Sequence, residues 1–318
     1  MSDNIKIIES INSVIEQLLE IKKSIATEVD QVVVSAQSTV INETKTENSE
    51  SSESSDFDSL KLALFSERWP ETVNPNFICD QNVKTDLIER GRGLIESLID
   101  KKLQGLKFLD FGCGKGYTTS TSAKNKTTIS VGYDIVESSD WEDLSKEDNN
   151  LYFTTDFELV KTNGPYDVIF VYDVLDHVEN ETPTEILKKI KSVLTPDGTV
   201  YMRCHPYCSR HATHLYNELN KAYVHLIFTE EELRKIYQEL NLEYKKENNI
   251  KVLFPLKNYS ELIHSAGLRV ENKSEITDRV ENFFKIPKIA ERIMKNNGYG
   301  AFPEFQMGVS FVNYVIKH

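Results

Sequence analysis

The chain has 318 residues, is 39% hydrophobic and carries a formal net charge of −13, which allows one large domain with appendages and is low in apolar content for a wholly packed chain. That charge repels a phosphate backbone and no basic patch offsets it, so nucleic acid is not an expected partner. Cys79, Cys113, Cys204 and Cys208 are too few and too irregular for a disulfide framework, which fits a reducing, cytoplasmic setting, and no stretch has the character of a signal peptide or a membrane span.

Ile7, Ile11, Val14, Leu18, Ile21 and Ile25 alternate four and three residues apart. The spacing predicts an amphipathic helix over 5–29 bearing the seam of a short coiled coil, marginal alone. Residues 36–59 are nearly all Ser, Thr, Asn, Glu and Asp, a composition that cannot offset ordering entropy and reads as a disordered linker. A helix on such a tether needs a partner: copies of itself as a homo-oligomer, or a larger assembly. The expected divisions are therefore a helix in 1–35, a linker in 36–59, and one domain over 60–318 with an insertion at about 206–258.

A short helix is expected over 60–69, ended by Pro70, and a longer one over 82–102, weakened by Gly91 and Gly93. Strand and helix signals then alternate. Apolar runs at 106–111, 128–133, 151–155, 166–171 and 199–204 lack period-2 alternation, which suits strands buried on both faces of a parallel sheet. Between the last two, Thr182, Pro183 and Glu185 open a helix as cap, first turn and capping box, and the turn Thr195-Pro196-Asp197-Gly198 closes it. Thr229 to Glu232 is a second capping box, opening a helix to about Leu240. A short helix at 259–266, a strand at 268–270, a helix over 277–296 interrupted by Pro287 and a strand at 307–316 complete the series. The fold class is α/β: a Rossmann-like, doubly wound, seven-stranded sheet.

The segment Phe108-Leu109-Asp110-Phe111-Gly112-Cys113-Gly114-Lys115-Gly116-Tyr117 runs from a strand through alternate glycines into a helix. Glycine lets a ligand approach the backbone, and the helix start offers free N–H groups. A dinucleotide fingerprint would place its third glycine at Tyr117 instead. The run resembles the first motif of class I S-adenosylmethionine-dependent methyltransferases. The resemblance implies that Asp110 orients the loop and the amino-acid end of the cofactor, and that Gly112, Gly114 and Gly116 let the backbone pass it. Asp134, after the second strand, stands where the family holds the ribose hydroxyls, as a carboxylate accepting two hydrogen bonds can. Asp156, after the third, stands where the family often meets the adenine amino group. The segment from Tyr166 to Val178 is similar to the family's small-molecule branch. By the same resemblance Cys113, Ile135, Phe157, Tyr172 and Asp173 belong to the cofactor's surroundings.

Methyl transfer from a sulfonium needs alignment, and an oxygen acceptor also needs a base. Candidates should lie at the carboxyl ends of the fourth and fifth strands. One cluster is Asp173, Asp176 and His177; the other is the loop from Arg203 to His214, with His205, His211 and His214. His205 is nearest the strand end and is the leading base. Cys204, Cys208, His211 and His214 also invite a metal reading, but their spacing departs from structural zinc patterns and polar pocket lining is the preferred account. Tyr216, Tyr223, Phe228, Tyr237 and Tyr244 form either an acceptor lid or core, and Trp69 and Phe77 are placed to close the pocket from the other side. The expected activity is methylation of an oxygen, or less readily a nitrogen, of a small molecule or sugar. The alternatives are a protein or RNA methyltransferase and a methyltransferase-like assembly subunit docked through its coil.

Overall fold

The computed structural model describes residues 49–72, 83–175, 183–210, 212–245, 256–277, 283–286, 288–298 and 307–318. The chain divides into Met1–Ser55 and Asp56–His318, and the account that follows concerns the second unit. The coil expected at 5–29 lies outside the described residues. Of the linker expected over 36–59, residues 36–48 do too, but from Ser49 the chain is helical: α1 spans Ser49–Leu64. The helix reaches back before Leu60 because Phe57, Leu60, Ala63 and Leu64 share an apolar stripe that packs into a core. Among the described residues no helix is long and apolar enough to cross a membrane.

The sheet comprises β1 (Lys107–Phe111), β2 (Ile129–Tyr133), β3 (Leu151–Thr154), β4 (Tyr166–Tyr172), β5 (Leu194–Cys204), β6 (Arg269–Thr277) and β7 (Val309–Lys317), in the order β3-β2-β1-β4-β5-β7-β6. β1 to β5 are parallel, and β7 runs antiparallel to both of its neighbours. The helices are α2 (Lys84–Leu98), α3 (Tyr117–Lys124), α4 (Trp141–Ser145), α5 (Phe157–Asn163), α6 (Pro183–Ser192), α7 (Val224–Ile227), α8 (Glu230–Glu239), α9 (Leu256–Ser265) and α10 (Ile289–Asn297). This is the doubly wound α/β sheet that the alternating runs predict.

Strand alternation assigns the two faces. Leu109, Val131, Ile169, Val171, Val200 and Met202 pack with Ile186, Leu187 and Ile190 of α6 and Tyr259 and Ile263 of α9. Phe108, Val168, Phe170 and Tyr201 face Leu94 and Ile95 of α2. Gly91 does not weaken α2: a Cβ there would come within 3.0 Å of the Tyr117 carbonyl oxygen, so its absence lets α2 lie close against α3. β5 starts earlier than its apolar run because the turn through Pro196 is accommodated as an irregularity in its pairing with β4. β6 runs on to Thr277, past the expected 268–270 and into the segment read as helix. It is an exposed edge strand with polar residues, so no apolar run marks it.

A second core hangs from the carboxyl end of β5. It joins Leu60 and Leu64 of α1, Trp69, residues from Cys208 to Tyr237, and Phe283, Ile289, Ile293 and Met307. Trp69 is buried there, donating from Nε1 to the Ala222 carbonyl at 2.8 Å and stacking on Phe228. Tyr223, Phe228 and Tyr237 are buried as well. These aromatic residues are therefore the core of a cap, not a lid over a pocket, and Trp69 holds the cap together instead of closing the site. Phe77 lies outside the described residues, as does the Thr182 cap. The Thr229 capping box forms as expected, with both reciprocal hydrogen bonds present.

Candidate functional site

The strand order reverses at β1, where ligands bind beyond the carboxyl ends of such sheets. The glycine loop sits there. The N–H groups of Gly112 and Cys113 both donate to the Tyr133 carbonyl, at 2.7 and 3.0 Å, which ties the turn to the end of β2. Gly112 and Gly116 have φ of +82° and +87°, the left-handed region that side chains resist. A Cβ at Gly112 would fall 2.3 Å from a Val174 methyl, and one at Gly116 would fall 2.5 Å from the Phe153 ring. At Gly114, by contrast, an added Cβ meets nothing within 4 Å. Two glycines are thus spent on packing, and the third leaves open space beside the backbone.

Gly114 is fixed from two sides. Its N–H donates to Asp134 Oδ2 at 2.8 Å, and its carbonyl accepts from Trp141 Nε1 at 2.8 Å. Trp141 stacks on Phe153, with ring centroids 5.3 Å apart. Asp134 also accepts from the Val136 N–H at 3.2 Å, so the carboxylate is oriented by backbone donors and only partly covered. Ile135 and Val136 beside it are 79% and 68% exposed, an apolar surface left open next to a carboxylate.

Asp110 is 3% exposed and accepts from the Thr119 hydroxyl at 2.8 Å. Burial pushes its carboxyl up to about 7, opposed by the Thr119 hydrogen bond and by the Arg90 guanidinium. The Cys113 thiol is likewise pushed far up by burial and by the two carboxylates near it, so it is no thiolate at neutral pH. Asp156 caps α5, its side chain accepting from the Glu158 N–H at 2.9 Å. Phe157 packs edge-on against Phe111 and Tyr133.

At the ends of β4 and β5, Asp173 and His205 meet: Asp173 Oδ1 lies 3.2 Å from His205 Nε2, with side chains 19% and 14% exposed. Asp173 has a positive φ of 52°, in the left-handed region that aspartate enters more readily than most side chains. The His205 ring also packs on Phe311 of β7, with centroids 4.5 Å apart. In the sequence Asp173 falls in the cofactor's surroundings by resemblance and in a cluster with Asp176 and His177, His205 falls in a separate loop, and Phe311 goes unmarked. Their meeting depends on β4 pairing with β5 and β5 with β7, which no local pattern encodes. Tyr172, one residue before, has its hydroxyl pushed up to about 12 by burial and by the Asp173 charge.

The other candidates separate. His214 opens a short 3-10 turn, His214–Asn217, in the cap. Asp176, His177 and His211 lie outside the described residues. Cys204 is buried in the main core and Cys208 in the cap core, so the two thiols look into different interiors. Among the described residues neither forms a disulfide, and no group of His, Cys, Asp and Glu is arranged to hold a metal ion. His225, unmarked by any motif, is buried against the Tyr207 carbonyl, and burial lowers its pKa to about 4, which keeps it neutral.

Residues 84–247, just over half of the chain, match a family model described as a methyltransferase domain. The mitochondrial ubiquinone biosynthesis O-methyltransferase of Arabidopsis thaliana is 26% identical over 110 residues, which cover 32% of this chain and 33% of that protein. The chain thus spans about a third of the length of that relative. Among solved structures, an S-adenosylmethionine-dependent methyltransferase from Mesorhizobium loti shares 13% identity at a TM-score of 0.41, over 72% of this chain and 96% of its own. The 1,6-didemethyltoxoflavin-N1-methyltransferase of Burkholderia thailandensis, with its namesake compound and S-adenosylhomocysteine bound, shares 11% at 0.43, over 86% and 92%.

Proposed function

Because this chain belongs to the class I S-adenosylmethionine-dependent methyltransferases, we propose that it methylates an oxygen of a small molecule, with His205 as the base. The observation that carries this reading is the contact of Asp173 Oδ1 with His205 Nε2 at the ends of β4 and β5.

The residues present fit the cofactor. Open space beside Gly114 admits it close to the backbone, and Gly112, Cys113 and Gly116 shape the turn around it. Asp134, held by two backbone N–H groups, presents a carboxylate for a pair of ribose hydroxyls. Ile135 supplies an apolar surface for the adenine, with Phe157 and Asp156 beyond it. Asp110 faces the amino-acid end, and Tyr172 adds a wall. When bound, S-adenosylmethionine supplies a methyl group on a positively charged sulfur.

An acceptor hydroxyl must lose its proton as its oxygen is methylated. Asp173 Oδ1 lies against Nε2 at 3.2 Å, which gives the proton-accepting role to Nδ1. Phe311 stops the ring from turning away. A nitrogen acceptor would need none of this, so the dyad favours oxygen. The alternating apolar residues from Ile7 to Ile25 further support self-association, which light scattering of the full chain against one lacking 1–35 would test.

The test of function uses methyl-labelled cofactor and an extract of the source cells. We expect label in the small-molecule fraction. His205→Ala should abolish it while calorimetry still records S-adenosylhomocysteine binding. Label in protein or RNA, or full activity in the variant, defeats the reading.

A further inference from the structure

Arg203 is the residue before Cys204 on β5, and it lies on the α2 face of the sheet, two places after Tyr201. Its guanidinium lies close to two rings. The carbon at its centre lies 5.9 Å from the Tyr172 ring centroid and 5.0 Å from that of Phe311. Its Nε donates to Asn313 Oδ1 at 2.7 Å. Two neighbouring strands therefore hold this β5 side chain: β4 through Tyr172, and β7 through Phe311 and Asn313. Among the described residues, neither terminal nitrogen of Arg203 has a hydrogen-bond partner. Arg90 of α2 lies over Tyr172 as well, 5.2 Å from its centroid, so two cations gather at this edge of an otherwise acidic chain.

A guanidinium close to two rings and anchored through Nε has lost much of its freedom before any ligand arrives, and what remains is the outer fork of donors that matches a carboxylate. The fork stands beside the proposed base. Phe311 touches both, 5.0 Å from the guanidinium and 4.5 Å from the imidazole centroid, so the two can be no farther apart than those two legs laid end to end. One aromatic ring bearing a hydroxyl and a carboxylate bridges such a spacing.

We infer that Arg203 forms a carboxylate-binding subsite, and that the methyl acceptor is a hydroxy acid of about the size of one aromatic ring, its hydroxyl at His205 and its carboxylate on the Arg203 fork. The inference rests on the acceptor site proposed above, but it can fail separately from it. Asp173 does not cancel the subsite, because among the described residues Arg203 forms no ion pair, and Asp173 Oδ1 lies 3.2 Å from His205 Nε2.

The experiment measures binding of 4-hydroxybenzoate and its neutral counterpart 4-hydroxybenzamide to the full chain saturated with S-adenosylhomocysteine. The acid should bind about tenfold or more tighter than the amide, the range expected for a charge-assisted pair of hydrogen bonds. Arg203→Met should bring the two to the same affinity. Arg203→Lys keeps the charge without the fork and should recover only part of the difference. Thermal melts of each variant confirm folding; should Arg203→Met not fold, Arg203→Lys and Asn313→Ala carry the test, both narrowing the difference. No saturable binding of the acid, no preference for it in the parent, or an unchanged preference in Arg203→Met or Arg203→Lys overturns the inference. His205→Ala distinguishes the two claims: it should keep the acid preference while losing methyl transfer, and retained transfer would remove the base while leaving the subsite standing.

Discussion

Substituting alanine at Gly116 and at Gly114 should give opposite phenotypes, although the two positions are neighbours in one loop. At Gly116 the new methyl carbon would sit 2.5 Å from the Phe153 ring and 3.2 Å from Trp141, at φ +87°. Left-handed backbone costs a side chain about 1–2 kcal/mol, and overfilling a packed interior costs about 1–3 more. The sum is a large part of the 5–15 kcal/mol that about holds a typical domain folded. The displaced Phe153 would also push on Trp141, whose indole fixes the Gly114 carbonyl. At Gly114 the methyl meets nothing within 4 Å and φ is +50°, so only the backbone term remains, about 1 kcal/mol. That methyl projects into the space assigned to the cofactor. Urea unfolding and calorimetry with S-adenosylhomocysteine read the two effects separately. Gly116→Ala should lose stability, whereas Gly114→Ala should stay nearly as stable and bind at least about tenfold more weakly. Undiminished binding by Gly114→Ala, or undiminished stability of Gly116→Ala, would refute the account of the loop.

Asp173→Asn should lower kcat by about a hundredfold, the scale of one general base, with cofactor affinity unchanged; equal loss of cofactor affinity would return Asp173 to the cofactor. Asp110 makes stability depend on pH. Its folded pKa of about 7 lies above the ordinary value of 3.8, so the native state holds the proton more tightly. The resulting stability is fully present below about pH 4 and is lost as pH rises through 7, on the order of 4 kcal/mol from this group. Asp110→Asn should remove that slope from urea titrations between pH 4 and 8, and a slope that persists would assign it to other groups.

The half of the molecule proposed to hold the cofactor is legible because its determinants are local. Asp110 and the three glycines lie within seven consecutive residues, and each strand up to Cys204 contains a short, mostly apolar run. Asp134 follows the second run directly. The acceptor side is less legible, because its parts meet only through sheet pairing. Phe311 reaches His205 from a strand about a hundred residues away, and no spacing rule joins them. The cap aromatics look alike in sequence whether they line a pocket or fill a core, and only burial of Tyr223 and Tyr237 separates the two. Only the first residues of β6 are marked in the sequence, and its run on to Thr277 is not, because an exposed edge strand carries no hydrophobic period. α1 begins earlier than its composition suggests because Phe57 supplies an anchor within a polar stretch.

The reversed strand β7 has a further consequence for how such a protein can change. It pairs with β5 through Val200 and Ile316 and with β6 along its other edge, so the backbone between Cys204 and Arg269 leaves the sheet and returns as a single excursion. Lengthening a loop whose ends are pinned costs entropy only logarithmically, about 0.6 kcal/mol per doubling. Residues can therefore be inserted or trimmed in its exposed stretch at 238–243, while the buried cap and the register that aligns Arg203 with Asn313 stay as they are.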